Sequence, residues 1–138
     1  MSRQNFIEKH GATCKNWRWS WSFVNKEEKF VIFGAWRHEY DEKIDGTVIL
    51  GEDWDYRKDG KKNSAYEESR DNIDLIEKHG YKLKIFRMWC SKENVKAIIE
   101  RGESAEIERF EEKLEETELK TTEKEGKKLY FVEIEWRE

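Results

Sequence analysis

The chain has 138 residues, room for one compact domain, and combines 42% charged with 36% hydrophobic residues; 14% of the total are aromatic. That aromatic content argues against a disordered chain, which pairs high charge with few aromatics. The net charge of −4, from 27 basic and 31 acidic residues, excludes the overall basic field of a non-specific nucleic-acid binder.

No apolar run approaches the ~18 residues of a membrane span. Cys14 and Cys90 have no CxxC partner and no secretory signal before them, so free thiols in a soluble, cytoplasmic protein are expected. The charge is distributed unevenly. Acidic residues crowd into 100–118, whereas "RKDGKK" at 57–62 is a local basic cluster. A nucleic-acid site, if present, is a patch around that cluster.

In chain order, "SRQNFIEKHG" offers Ser2 as an N-cap, Phe6 and Ile7 on one face, and Gly11 after the last turn, which predicts a short opening helix. Two β runs follow, roughly 14–24 and 30–38, joined by the polar "NKEEK" as a hairpin. Alternation through "NWRWSWSFV" puts Trp17, Trp19, Trp21 and Phe23 on one face of the first strand and Arg18, Ser20 and Ser22 on the other. Trp19 and Trp21 are expected in the core, because a chain this charged has few other large apolar groups to bury. The partner "FVIFGAW" is apolar on both faces and reads as central, with Gly34 marking a bulge or a close approach.

"DEKIDG" turns the chain into a third strand, "TVILG", which ends at "EDWDY". The polar "RKDGKKNS" predicts a loop, and "SAYEESRDNIDLIEKHG" a helix capped by Ser64, closed by Gly80 and docked through Ile73 and Ile76. "YKLKIFRMW" is the fourth strand, so strand, helix and strand suggest a crossover within a mostly antiparallel sheet. Glu, Lys, Ala and Leu give 103–118 helical propensity, and "KLYFVEIEW" forms the last strand.

The chain shows little catalytic chemistry. His10, His38 and His79 lie far apart, and two of them precede a helix-ending glycine, where a cation suits the helix dipole. There is no HExxH, no paired cysteines, no GxSxG and no phosphate-binding glycine loop, so no catalytic residue, metal or cofactor is assigned. By contrast, Arg57, Lys58, Lys61 and Lys62 on a glycine-containing loop suit a phosphate backbone, and Ser69 and Arg70 follow on the first turns of the next helix. A solvated loop is the plainer alternative. Trp17, Trp36 and Trp54 lie near strand ends, where aromatic walls with Tyr66 suit an extruded base, and Asn16 and Asp53 are placed to read its edge.

"GATCKNWRWSWSFVNKEEKFVIFGAW" followed by "LGEDWDYRKDGKKNSAYEESRDNIDLIEKHGYKLKIFRM" resembles a domain found beside HNH nuclease modules in bacterial modification-dependent restriction endonucleases of the McrA type. The match spans residues 11–88 and is carried by Asn16, Trp17, Trp19 and Trp21 in the first motif and by Trp54, Lys61, Lys62, Tyr66 and Ser69 in the second. Where the family pattern has a proline before the helix tyrosine, this chain has Ala65. Such domains are similar to the SRA and PUA-like group, whose members flip modified bases into an aromatic pocket. The resemblance implies that "AEIERF" is a strand, the reading followed here over helical propensity.

The expectation is therefore a single α+β, PUA/SRA-like domain over 1–138, a compact, strongly curved, mostly antiparallel β-sheet with two or three flanking helices. It binds modified DNA as the reader part of a restriction or defence system, with a nuclease module or subunit as a possible partner, and without catalysis of its own. Its base pocket is Asn16, Trp17, Trp36, Asp53, Trp54 and Tyr66; its phosphate contacts are Arg57, Lys58, Lys61, Lys62, Ser69 and Arg70. Three alternatives stand beside it. One is an RNA-binding PUA-like domain, another a protein-interaction or small-ligand module that works through the acidic C-terminal third. The third is a small nuclease built from Asp53 and Asp55 with Lys61 or Lys62.

Overall fold

The computed structural model describes residues 1–56 and 60–136. The first helix, α1 (Arg3–Lys9), forms as its caps predict: Ser2 Oγ accepts the Asn5 N–H at 3.1 Å, and Phe6 and Ile7 are its buried residues. A hairpin follows, β1 (Ser22–Asn25) and β2 (Phe30–Trp36), paired antiparallel from Ser22↔Phe33 to Asn25↔Phe30. After it come β3 (Tyr40–Asp41), β4 (Gly46–Gly51) and α2 (Tyr66–His79). Then β5 (Lys82–Trp89) lies parallel to β2 from Phe30↔Lys82 to Trp36↔Met88; the crossover expected from the third strand runs instead from β2, because β4 belongs to the other sheet.

Next are α3 (Lys92–Arg101), β6 (Arg109–Phe110) and β7 (Glu115–Thr117), both of these strands pairing antiparallel with β5. The last hairpin is β8 (Lys120–Lys124) with β9 (Lys127–Val132). The strands divide into a curled mixed sheet, β1-β2-β5-β6 with β7 also on β5, and a second sheet, β3-β4-β9-β8. With the three helices this is an α+β fold, and most of its strand pairings are antiparallel.

Alternation along β2 separates two cores. Val31, Phe33 and Ala35 face β4, β9 and α2 together with Ile49, Leu50, Ile73, Leu83, Ile85, Tyr130 and Val132. Phe30 and Ile32 face the other way, onto Phe6, Ile7, Phe23, Phe86 and Met88. The central strands are thus apolar on both sides because both sides are covered. Gly34 is a close-approach position: a Cβ there would lie 2.4 Å from Met88 Cε and 3.3 Å from Phe86 Cζ. Burial of Arg87, 8% exposed, is matched by its bonds to the Glu115 carboxylate and to the Glu135 carbonyl.

Several expectations need correction. The first strand begins at Ser22 and not near 14, because "NWRWS" is a turn. Its Asn16 carbonyl accepts the N–H groups of Trp19 (3.1 Å) and Ser20 (2.8 Å), and Asn16 Oδ1 accepts that of Arg18 (2.8 Å). A side-chain oxygen that serves local N–H groups competes with the strand ladder. Trp19 is therefore not core but 55% exposed. Trp17 and Trp21 also part company: Trp17 stacks on Phe23 at 5.5 Å, whereas Trp21 meets the edge of Trp54 at 6.0 Å against the other core.

The N-cap of α2 is Ala65, not Ser64, with no side-chain bond; Glu67 and Glu68 in the first turn suit the helix dipole instead. Gly80 closes the helix in the left-handed region, as expected. The α3 helix was not anticipated, although Ser91, whose Oγ accepts the Asn94 N–H, and Gly102 at the other end are ordinary boundary signals. Beyond it, 103–118 is not helical: of "AEIERF" only Arg109 and Phe110 are a strand, β6, while 105–108 lies outside any strand, and β7 was not anticipated. The final strand ends at Val132, short of Trp136.

Candidate nucleic-acid interface

The first turn of α2 is where the two sequence motifs meet. From one side, Glu68 Oε2 accepts the Lys15 N–H at 2.7 Å and Glu68 Oε1 accepts the Ser20 hydroxyl, so the helix grips both ends of the "NWRWS" turn. From the other side, Lys62 pairs with Glu67 across the end of the basic loop. The Glu67 carboxyl is held below its usual value first by this Lys62 bond, with Lys15 adding to the effect, so the two lysines flank one carboxylate. Residues about 50 apart in the chain share one rim.

Below the rim lies an aromatic wall. After β4 a 3-10 turn (Glu52–Asp55) folds Asp53 and Trp54 back over Gly51, where a Cβ would stand 2.7 Å from Asp53 Oδ1 and 3.0 Å from Trp54 Nε1. Trp21, Trp54 and Tyr66 all pack partly buried against the same core. Next to Tyr66, Arg70 donates to the Tyr130 hydroxyl and lies over its ring at 5.3 Å, with Lys128 Nζ at 5.4 Å from that ring. Burial pushes the Tyr66 phenol up, opposed by Arg70 and helped by Asp55 and Glu52. It therefore stays protonated at neutral pH and can both donate and accept. Chemically the region offers stacking faces, a neutral hydroxyl, carboxylates able to accept from an exocyclic amine, and exposed cations.

The assigned base-pocket residues do not form one pocket. Asp53, Trp54 and Tyr66 lie together on the α2 side of the mixed sheet; Trp17 and Trp36 pack against the core on its opposite side. Asn16 shapes the turn with its own side chain. Of the phosphate set, Lys61 and Lys62 are exposed on the loop, and Arg70 borders the wall. Ser69 is 1% exposed, its hydroxyl 2.9 Å from that of Ser22, to which Asn72 also donates; a hydroxyl so enclosed joins helix to strand and does not face a phosphate. Arg57 and Lys58 lie outside the described residues. Sequence reading missed Lys15, Glu67, Glu68 and Lys128, none of which carries a pattern linking it to the loop.

Two open clefts lie elsewhere, around 133–136. One of about 490 Å³ is lined by Arg37, Tyr40, Asp45 and Trp136; one of about 340 Å³ by Arg87, Glu111, Lys113 and Glu115. Their linings are largely acidic or carry ion pairs, which suits them poorly to a polyanion.

A second titratable group follows the C-terminal ends of β2 and β5, with its Glu39 close enough to Asp53 to feel that carboxylate. Cys90 Sγ lies 3.6 Å from His38 Nδ1, and His38 Nε2 3.6 Å from Glu39 Oε1. The arrangement resembles an activated thiol, but its protonation states argue otherwise. Burial pushes the Cys90 thiol up and the His38 imidazole down, leaving a neutral thiol beside a neutral ring. A nucleophilic cysteine needs the thiolate. Among the described residues, no group of three His, Cys, Asp or Glu could hold a metal ion, and both cysteines are free. No described helix is long and apolar enough to cross a membrane. Comparison with protein-family models, curated proteins and solved structures found no match.

Proposed function

We propose that this chain is a nucleic-acid-binding module that recognises a modified base in DNA, extruded from the duplex against Trp54, Tyr66 and Trp21. The observation that carries the reading is the convergence on the first turn of α2. A basic loop and an aromatic turn, remote in sequence, are both tied to adjacent glutamates of one helix. Cations at a rim above stacking surfaces are what a flipped base requires, since phosphates position the backbone and aromatic faces hold the base. Asp53, next to Trp54 and held over Gly51, is the group placed to accept from an exocyclic amine. In this reading the module acts as the reader of a restriction or defence system, with cleavage supplied by a separate nuclease module.

The test is titration of the intrinsic tryptophan fluorescence with duplexes that differ in a single methylated or hydroxymethylated base. Quenching and tighter binding for one modified duplex are expected, with loss in Trp54→Ala. Salt dependence should be modest, with a slope of about 0.9 per phosphate contact and only a few contacts. Equal binding of all duplexes, or preference for single-stranded RNA, refutes the modified-DNA reading.

A further inference from the structure

Among the described residues the exposed large apolar side chains are Met1, Trp19, Tyr56 and Ile99. The two aromatic ones lie on the two segments that flank the start of α2: Trp19 on the turn gripped by Glu68, and Tyr56 at the entry to the basic loop. Trp19 is the more unusual. Its neighbours Trp17 and Trp21 pack onto opposite cores, yet the indole between them stays 55% exposed. Nothing about the turn is loose. Arg3 donates to the Trp17 carbonyl at 2.8 Å, Asn16 accepts three N–H groups between its carbonyl and side chain, and Ser20 Oγ accepts the Asn16 N–H at 3.2 Å.

A large apolar ring on a backbone held this firmly is pre-organised for contact, because little freedom remains to be lost on binding. The charges at its base define the contact. Lys15 and Arg18 are exposed within the same turn, and Lys62 stands across Glu67. With Lys62 paired to Glu67 and Glu68 turned onto the Lys15 N–H and the Ser20 hydroxyl, it is Lys15 and Arg18 that stand exposed beside the apolar tip, a combination that complements stacked bases behind a phosphate backbone.

We propose that Trp19 is a stacking wedge that enters the base stack of the bound duplex beside the extruded base, with Lys15 and Arg18 on the adjoining phosphates. This rests on the DNA-binding reading above and adds to it a contact with bases that stay in the helix. Inserted apolar side chains unstack a base step and occupy the space that opens, which is how extrusion is sustained once begun.

None of the bonds that hold the turn runs through the indole, so Trp19→Ala and Trp19→Phe should melt like the wild type. Binding is followed by anisotropy with a labelled duplex that carries 5-methylcytosine and a neighbouring 2-aminopurine, whose emission rises when it unstacks. Loss of one stacked ring predicts binding weaker by about tenfold to a hundredfold for Trp19→Ala, with the salt slope unchanged because no phosphate contact is removed. Trp19→Phe should keep most of the affinity and the 2-aminopurine rise, and Trp19→Ala should lose the rise. Wild-type affinity and a full rise in Trp19→Ala overturn the wedge alone and leave the DNA-binding reading standing. Failure of the wild type to bind this duplex, its hydroxymethylated counterpart and the unmodified control overturns both.

Discussion

Glu39 makes the stability of this protein depend on pH in a direction opposite to that of ordinary carboxylates. It stands on the 3-10 turn Arg37–Glu39 that follows β2, and burial, with Asp53 nearby, pushes its carboxyl from 4.5 up to about 7. The folded state therefore holds this proton more tightly than the unfolded chain. The associated stability is complete below pH ~4.5, declines as pH rises, and is gone above about 7. A change of that size has a ceiling of about 3 kcal/mol. The side chain keeps 33% of its surface exposed, and water screens it accordingly, so about 1–2 kcal/mol is expected. Glu39→Gln keeps the shape and removes the charge. Urea unfolding of both proteins at pH 5 and pH 8 should show the Gln variant gaining about 1–2 kcal/mol on its Glu39 counterpart between the two conditions. Because His38 lies 3.6 Å from Glu39 and titrates in the same range, both proteins carry His38→Asn, so that the pH-dependent difference belongs to Glu39. An equal difference at both pH values would refute the reasoning.

Three further outcomes follow from the packing. Gly34→Ala forces a Cβ into contact with Met88 and Phe86 and should lower stability by about 1–3 kcal/mol, measured by denaturation; Met88→Ala in the same chain should restore part of it. Gly51→Ala meets Asp53, Trp54 and Leu129 at 2.7–3.1 Å, so tryptophan emission should shift and binding of the modified duplex should fall more than thermal stability does; unchanged emission would count against the assigned wall geometry. At pH 7 Cys90 should react with iodoacetamide more slowly than a free cysteine, and denaturation should remove the protection, since burial keeps the thiol protonated. Fast alkylation of the folded protein would instead mark a thiolate at His38.

Much of the scaffold was legible from local pattern. "FVIFGAW" and "YKLKIFRMW" carry apolar residues on both faces, and they are the paired central strands; Ser2, Gly11 and Gly80 bound their helices as capping chemistry predicts. The α3 boundaries were equally local and were overlooked. "NWRWSWSFV" misled because alternation is a test for strands only where the backbone is extended, and Asn16 and Ser20 bend it. The signal for that turn was present in those two residues, but a run of tryptophans at every second position outweighed it.

The amino-acid order by itself determined which segments could bury which faces, through side-chain size, periodicity and caps that act within a few residues. It also supplied the ingredients of a binding surface: aromatic residues, a basic loop, and glutamates at a helix start. Only the tertiary structure decided how these were allotted. The parallel pairing of β2 with β5 placed Trp17 and Trp36 behind the sheet and Trp54 and Tyr66 in front of it. Two glutamates of α2 drew Lys15 and Lys62 to one rim. The physical reason is range: a cap or a turn is settled by neighbours in the chain, whereas a rim built from residues about 50 positions apart exists only once the sheet has closed between them.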